Sequence, residues 1–267
     1  MTPAADAVGR IDDRFRGPGL DERRWIPAYL PHWTDPAAAA ARWDLVPDGL
    51  RLRIDADQPA WMPEDMPMRV SAIQTGSVAG PVGTRLGQDP HRPGLTVRTA
   101  VPVQRHWTPS AGRIEVVAAA SADPTCMLGI WTLGALDGGQ EEAGELCIAE
   151  LFGRDAGRAS SIVRFGIKPH EDPRLVEDVR DAVLPIDTTR PHAYAVEWGG
   201  GRARMLVDGR VIGEFDQAPE YPQQLVIALF EFPESVRRPP SAYPKSAVVH
   251  SVTGRAIAPG ADGVGRA

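Results

Sequence analysis

Short runs of alternating residues, broken again and again by glycine or proline, constrain this chain's fold more than any other feature. "LRLRI" (50–54), "GRIEVVAAA" (112–120), "CMLGIWTL" (126–133), "AYAVEW" (193–198) and "QLVIALFEF" (224–232) all have strand length and composition. A period of two sends successive side chains to opposite faces, as a half-buried strand requires. With 27 glycines and 26 prolines spread between the runs, few segments stay uninterrupted long enough for a helix. Asp208-Gly209 divides "ARMLVDGRVIGEF" (203–215) into two such runs, a strong signal for a two-residue hairpin turn. In "HAYAVEW", Tyr194, Val196 and Trp198 share one face. Two segments read as helical: 35–43, with Asp35 as N-cap and Pro36 in first position, and one or two turns within 173–181. The expectation is an all-β chain of two packed antiparallel sheets.

A chain of 267 residues can form one large sandwich. We expect a single domain over residues 11–256, a flexible stretch 1–10 and a disordered tail 257–267. The net charge of −6 argues against a nucleic-acid partner, whose footprint is basic. It also leaves no polybasic patch for a membrane, and apolar runs such as Leu225 to Phe230 are too short to span one. The sequence as written opens without an apolar leader, so the expectation is a cytoplasmic monomer unless a leader precedes it. Cys126 and Cys147 form no metal-binding spacing and read as two buried, reduced thiols. From Gln58 to Gly94 the chain is rich in proline and glycine around one strand-like piece, "MRVSAIQTG". Long irregular segments inside a compact fold are often functional.

"GELCIAELFGR" (144–154) poses the main chemical question. Glu145 and Glu150 stand five positions apart in an apolar strand, so regular geometry would point them to opposite faces. One inserted residue, a β-bulge at Ile148-Ala149, restores the parity and puts Glu145, Cys147 and Glu150 on one side. Without it one glutamate would be stranded in the core, at high cost. With it, the two carboxylates come to roughly 5 Å, the separation of a retaining glycosidase. The alternative reading makes Glu145 a strand-end surface residue and Glu150 a partner of Arg154.

The surroundings of this motif resemble glycoside hydrolase family 16, the laminarinase and lichenase group with a concanavalin A-like β-jelly roll. Its signature strand, E-x-D-x-x-E, is similar to Glu145-Leu146-Cys147-Ile148-Ala149-Glu150. "FRGPGLDERRWIPAYLPHW" (15–33) resembles the family's opening strand, and "CMLGIWTLG" (126–134) its tryptophan-bearing strand. "PHAYAVEW" with "ARMLVDGRVI" is similar to its H-x-Y-x-x-E-W and V-D-G hairpin, and "YPQQLVIALFEFP" (221–233) to its last cleft strand. The likeness runs in order through about residues 11–233. It implies a jelly roll with a concave substrate cleft, Glu145 as nucleophile, Glu150 as acid/base, and cleavage of internal β-bonds in a β-1,3- or mixed-linkage glucan. A lectin-like module on the same fold, binding glycan without cutting it, is the alternative. No cofactor is implied, although some members carry a structural calcium. The departure is Cys147, where the family pattern has aspartate. A neutral thiol there removes one negative charge, and we expect the pH optimum to move downward.

Five further residues are candidate substrate contacts. Trp131 matches the family's tryptophan beside the cleaved bond. Trp33 and Trp61 are candidates for the cleft rim, because sugar rings stack on aromatic planes. His32 is a candidate donor to a sugar hydroxyl. Glu231 lies between Phe230 and Phe232 and shares a face with Leu225, Ile227 and Leu229; a glutamate there needs a partner, and the cleft floor is its expected place. Trp198 is expected in the core, and His170 in a loop without a task.

Overall fold

The computed structural model describes residues 9–65, 67–232 and 239–258. Most of the expected tail and most of the expected flexible N-terminus lie outside the described residues. In chain order the strands are β1 (Arg10–Asp13), β2 (Arg42–Val46), β3 (Gly49–Ile54), β4 (Arg69–Gln74), β5 (Gly76–Ser77), β6 (Gln104–Arg105), β7 (Gly112–Ala119) and β8 (Cys126–Gly134). They continue with β9 (Glu145–Phe152), β10 (Ser161–Lys168), β11 (Asp178–Leu184), β12 (His192–Gly199), β13 (Arg202–Val207), β14 (Arg210–Phe215), β15 (Gln223–Glu231) and β16 (Lys245–Ala256). One sheet has the order β14-β13-β12-β7-β16-β3-β2, with β1 also on β16, and the other the order β11-β10-β9-β8-β15-β4. All their pairings are antiparallel. β5 and β6 form a separate short ribbon.

The two sheets face each other across one apolar layer. Leu128, Ile130, Leu225, Ile227 and Leu229 meet Ile114, Val116, Tyr194, Val196 and Trp198 there. Trp198 is fully buried, and its indole N–H donates to the Ser110 carbonyl at 3.0 Å. The alternate residues of β8 and β15, Met127, Trp131, Val226, Ala228 and Phe230, face outward. There they meet Tyr29, Trp61 and Met68 from the connecting segments in a second apolar cluster. That outer face carries the site described below. Between β13 and β14 the turn is the expected one, with Asp208 and Gly209 both at positive φ (49° and 75°).

Three expectations need correction. The helix expected over 35–43 is a single turn, Pro36–Ala39. Asp35 does cap it, accepting from the N–H groups of Ala37 and Ala38 at 2.9 and 3.0 Å, but Ala40 is extended and the chain enters β2. The segment 173–181 holds no helix. Its end joins β11, which pairs with β10 along the sheet edge, and tertiary pairing overrides a weak local preference.

The third correction is Glu231. Its parity with Leu225, Ile227 and Leu229 is as expected, but that face looks into the sandwich, not into the cleft. Its carboxylate is held by Lys245 at 2.7 Å, Arg69 at 3.0 Å and the Tyr243 hydroxyl at 2.7 Å. Lys245, only 1% exposed at its side chain, is also 3.2 Å from Asp123. The group clamps the start of β16 to the ends of β4 and β15. Removing one member of such a buried ion pair leaves its partner uncompensated. Glu231→Ala is therefore expected to lower the unfolding free energy by about 3 kcal/mol in a urea titration; a loss under about 0.5 kcal/mol, the scale of ordinary surface changes, contradicts the structural role.

Candidate active site

β9 carries the bulge at the expected place. Against β8, Ile130 pairs with Ala149 and Trp131 with Cys147, so Ile148 is the additional residue. Against β10, Arg164 pairs with Glu150 and Gly166 with Cys147, two steps on one strand for three on the other. Ile148 and Ala149 consequently both point into the inter-sheet core, beside Leu146 and Leu151. Glu145, Cys147 and Glu150 are left on the outer face. One carboxylate oxygen of each glutamate and the Cys147 Sγ lie within 4.8 Å of one another. Glu150 pairs with Lys168 at 2.7 Å, so the alternative pairing with Arg154 is not the arrangement found.

The two glutamates border a cavity of about 190 Å³. Trp131 and Phe230 wall it from the sheet, and Tyr29, Trp61, Asp89 and His91 from the connecting segments. Gly129, opposite Glu150 on β8, has space for no side chain, because the Trp131 ring lies where its Cβ would be, at 2.2 Å. That close approach lets the indole lie along the strand. Trp131 also stacks on Phe230 with centroids 5.8 Å apart. It is 5% exposed, and its buried indole N–H has no partner among the described residues.

The remaining sequence candidates fall in different places. Trp61 borders the cavity but is nearly buried, and its indole N–H is committed to the Tyr29 carbonyl at 3.1 Å. Trp33 and His32 are corrections. Both are fully buried and turned toward the Gln88 carbonyl, Trp33 donating at 2.7 Å and His32 Nε2 lying 3.3 Å away. Burial pushes His32 down to about 4, so the ring is neutral, and it serves the packing of the 58–94 segment. Gly87 lies against the Trp33 ring, with no room for a Cβ.

Two residues in the site had no place among the sequence candidates. Lys168 stands opposite Glu145 in the β9–β10 ladder, and its ammonium reaches both carboxylates, at 3.0 Å from Glu145 and 2.7 Å from Glu150. His170, at positive φ (49°) just beyond β10, meets the other Glu145 oxygen at 2.7 Å through Nε2. Its Nδ1 is 3.6 Å from Asp89, whose carboxylate also accepts from Tyr29 at 3.4 Å. Metal-ligating atoms are grouped here, as Asp89, Glu145 and His170 and as Glu145, Cys147 and Glu150. The Lys168 ammonium already sits between the two glutamates, where a cation would be held.

These contacts set the charges. Burial alone would raise Glu145, but the Lys168 charge and the His170 hydrogen bond outweigh it and hold the carboxyl below its ordinary value. Burial would lower Lys168, yet the carboxylates, Glu145 first, push it well up, so it remains an ammonium. Burial pushes the Cys147 thiol well above its ordinary value, so it is neutral. His170 would likewise be lowered by burial; Asp89 and Glu145 overcome this and raise it to about 9.

No family model matches the sequence, and no curated protein matches it. Solved structures do. The chain is similar to the GlcNAcα1-4Gal-releasing endo-β-galactosidase from Clostridium perfringens, with a TM-score of 0.76 and 21% identity over 91% of this chain. It spans 61% of that protein's chain. It is also similar to the laminarinase catalytic domain from Thermotoga maritima MSB8, with a TM-score of 0.62 and 13% identity, covering 93% of this chain and 97% of that one. A third match is SCLam, a non-specific endo-β-1,3(4)-glucanase from family GH16, with a TM-score of 0.63, 16% identity, and coverage of 93% and 95%. The fold is that of glycoside hydrolase family 16.

A histidine whose pKa rises on folding stabilises the fold fully below its unfolded value and loses that contribution as pH climbs through the folded one. His170 runs from 6.5 to about 9. Wild type should therefore exceed His170→Asn in Tm most clearly below about pH 6.5, and the gap should close through about pH 9. A gap that is the same from end to end contradicts a charged His170.

Proposed function

We propose that the protein is a retaining glycosidase acting on internal bonds of a β-linked polysaccharide, with β-1,3- or mixed-linkage glucan as the substrate class. The observation that carries this reading is the pair of outward-facing carboxylates, one oxygen of each within 4.8 Å of the other, bordering an aromatic cavity. Retaining enzymes keep their carboxyl groups about 5–5.5 Å apart, whereas inverting enzymes leave space for a water between them, about 6.5–9.5 Å. Glu145, held ionised by Lys168 and His170, is the nucleophile that attacks the anomeric carbon. Each carboxylate oxygen has two lone pairs, so a hydrogen bond from Lys168 or His170 leaves one free for attack. Glu150 gives its proton to the leaving oxygen and then takes one from the water that releases the sugar from Glu145. Cys147 fills the space between them as a neutral thiol. Trp131 supplies part of the cavity's apolar wall beside the cleaved bond. The reaction so written needs no cofactor.

Release of reducing sugar from a panel of β-linked polysaccharides tests the reading. The panel includes a β-galactan, in view of the likeness to an endo-β-galactosidase. Cleavage is expected, with Glu150→Gln reducing kcat about 10²–10⁴-fold and Glu145→Gln at least as much. Glycan binding without release makes the protein a lectin-like module instead. Cys147→Asp restores a third carboxylate and should move the optimum of kcat/KM upward in pH, because an added negative charge keeps the acid protonated longer. An unmoved optimum means the thiol only packs; a downward move contradicts this account of the charge coupling.

A further inference from the structure

We infer that Lys168 is the positioning residue that sets the ionisation of the two reacting carboxylates, taking over with opposite sign the electrostatic task that a third carboxylate performs at such sites. The inference rests on the assignment of Glu145 and Glu150 as the reacting pair. Two close carboxylates repel, and a site can relieve the repulsion with a proton or with a cation. A third carboxylate between them increases the repulsion and favours the proton. Here the third position is the neutral thiol of Cys147, and a single ammonium lies 3.0 Å and 2.7 Å from the two glutamates. The ammonium has three donors and no acceptor, and its positive charge favours the ionised form of a carboxyl it touches, as at Glu145.

Its placement is fixed by the sheet and not by a loop. Arg164, Gly166 and Lys168 stand opposite Glu150, Cys147 and Glu145 in the β9–β10 ladder. Gly166, opposite the thiol, puts no side chain between Lys168 and Glu150. Other charges around the pair are already engaged. Arg164 is bound to Asp181 at 2.9 Å, and His91 to Asp65 at 2.9 Å. His170 lies on Glu145 and beside Asp89, and Tyr29 donates to Asp89. Lys168 is thus the one cation that touches both glutamates among the described residues. One ammonium bridges the two carboxylates.

The test follows the Glu145 carboxyl signal by ¹³C NMR through a pH titration of wild type, Lys168→Met and Lys168→Arg, with kcat/KM measured against pH on any polysaccharide that is cut. Without the cation, the Glu145 midpoint should rise by about one pH unit or more, and the rate optimum should move upward with it. Lys168→Arg keeps the charge and should keep both near wild type. An unmoved Glu145 midpoint in a folded Lys168→Met protein overturns the inference, whether or not sugar is released. A raised midpoint in a protein that cuts nothing leaves Lys168's role standing and removes the glycosidase reading. If Lys168→Met does not fold, wild type alone decides. The Lys168 Cε signal should remain that of an ammonium through about pH 10.4, where ordinary lysines titrate, and loss of the proton at or below that point contradicts the bridge.

Discussion

Because side chains alternate along a strand, Glu145 and Glu150 share a face only if β9 carries one residue more than its neighbours. Ile148 is that residue. It joins Ala149 in the inter-sheet core, so the extra step adds apolar contact on one side while it turns Glu150 outward on the other. The cavity, the closeness of the carboxylates and the reach of Lys168 all depend on this local departure from regular pairing. A bulge in a central strand of the sheet is therefore a feature of both the core and the candidate site.

The second constraint is electrostatic. Glu145 is nearly inaccessible, at 4% side-chain exposure, and an unpaired carboxylate there would be very costly. Lys168 on one oxygen and His170 on the other remove that cost. The same contacts favour the ionised carboxylate and fix the direction in which it faces. Asp89 and Tyr29 extend the arrangement into the connecting segments, so the sheet supplies the two carboxylates and the segments around it supply further polar partners.

Much of this could be read from local pattern. Alternation located β3, β7, β8, β12 and β15, the Asp208-Gly209 pair marked a hairpin, and odd spacing together with the cost of a buried charge pointed to the bulge. What could not be read depends on non-local pairing. β16, the longest strand described, was missed; its own bulge beside His250 shifts the alternation midway, so neither half looks long. Lys168 lies on the outer face of β10, and only the ladder register shows it opposite Glu145. His170 reaches Glu145 from a loop at a sequence distance of 25 residues. The one hint was chemical: two buried carboxylates need cations, but the sequence does not say which. Glu231 shows the converse, where parity was right and the identity of the facing layer was not. For Trp33 and His32, aromatic and polar composition suggested a rim, whereas the Gln88 carbonyl draws both into the packing of the 58–94 segment.

The stereochemistry of the first product tests the central claim most directly. Proton NMR of a reaction on a β-linked oligosaccharide, recorded before mutarotation, distinguishes the two anomers of the released reducing end. The β-anomer appearing first is the result predicted for Glu145 and Glu150 working through a covalent glycosyl-enzyme. The α-anomer appearing first would mean a single displacement by water, and would contradict the roles drawn from the bulge and the carboxylate separation.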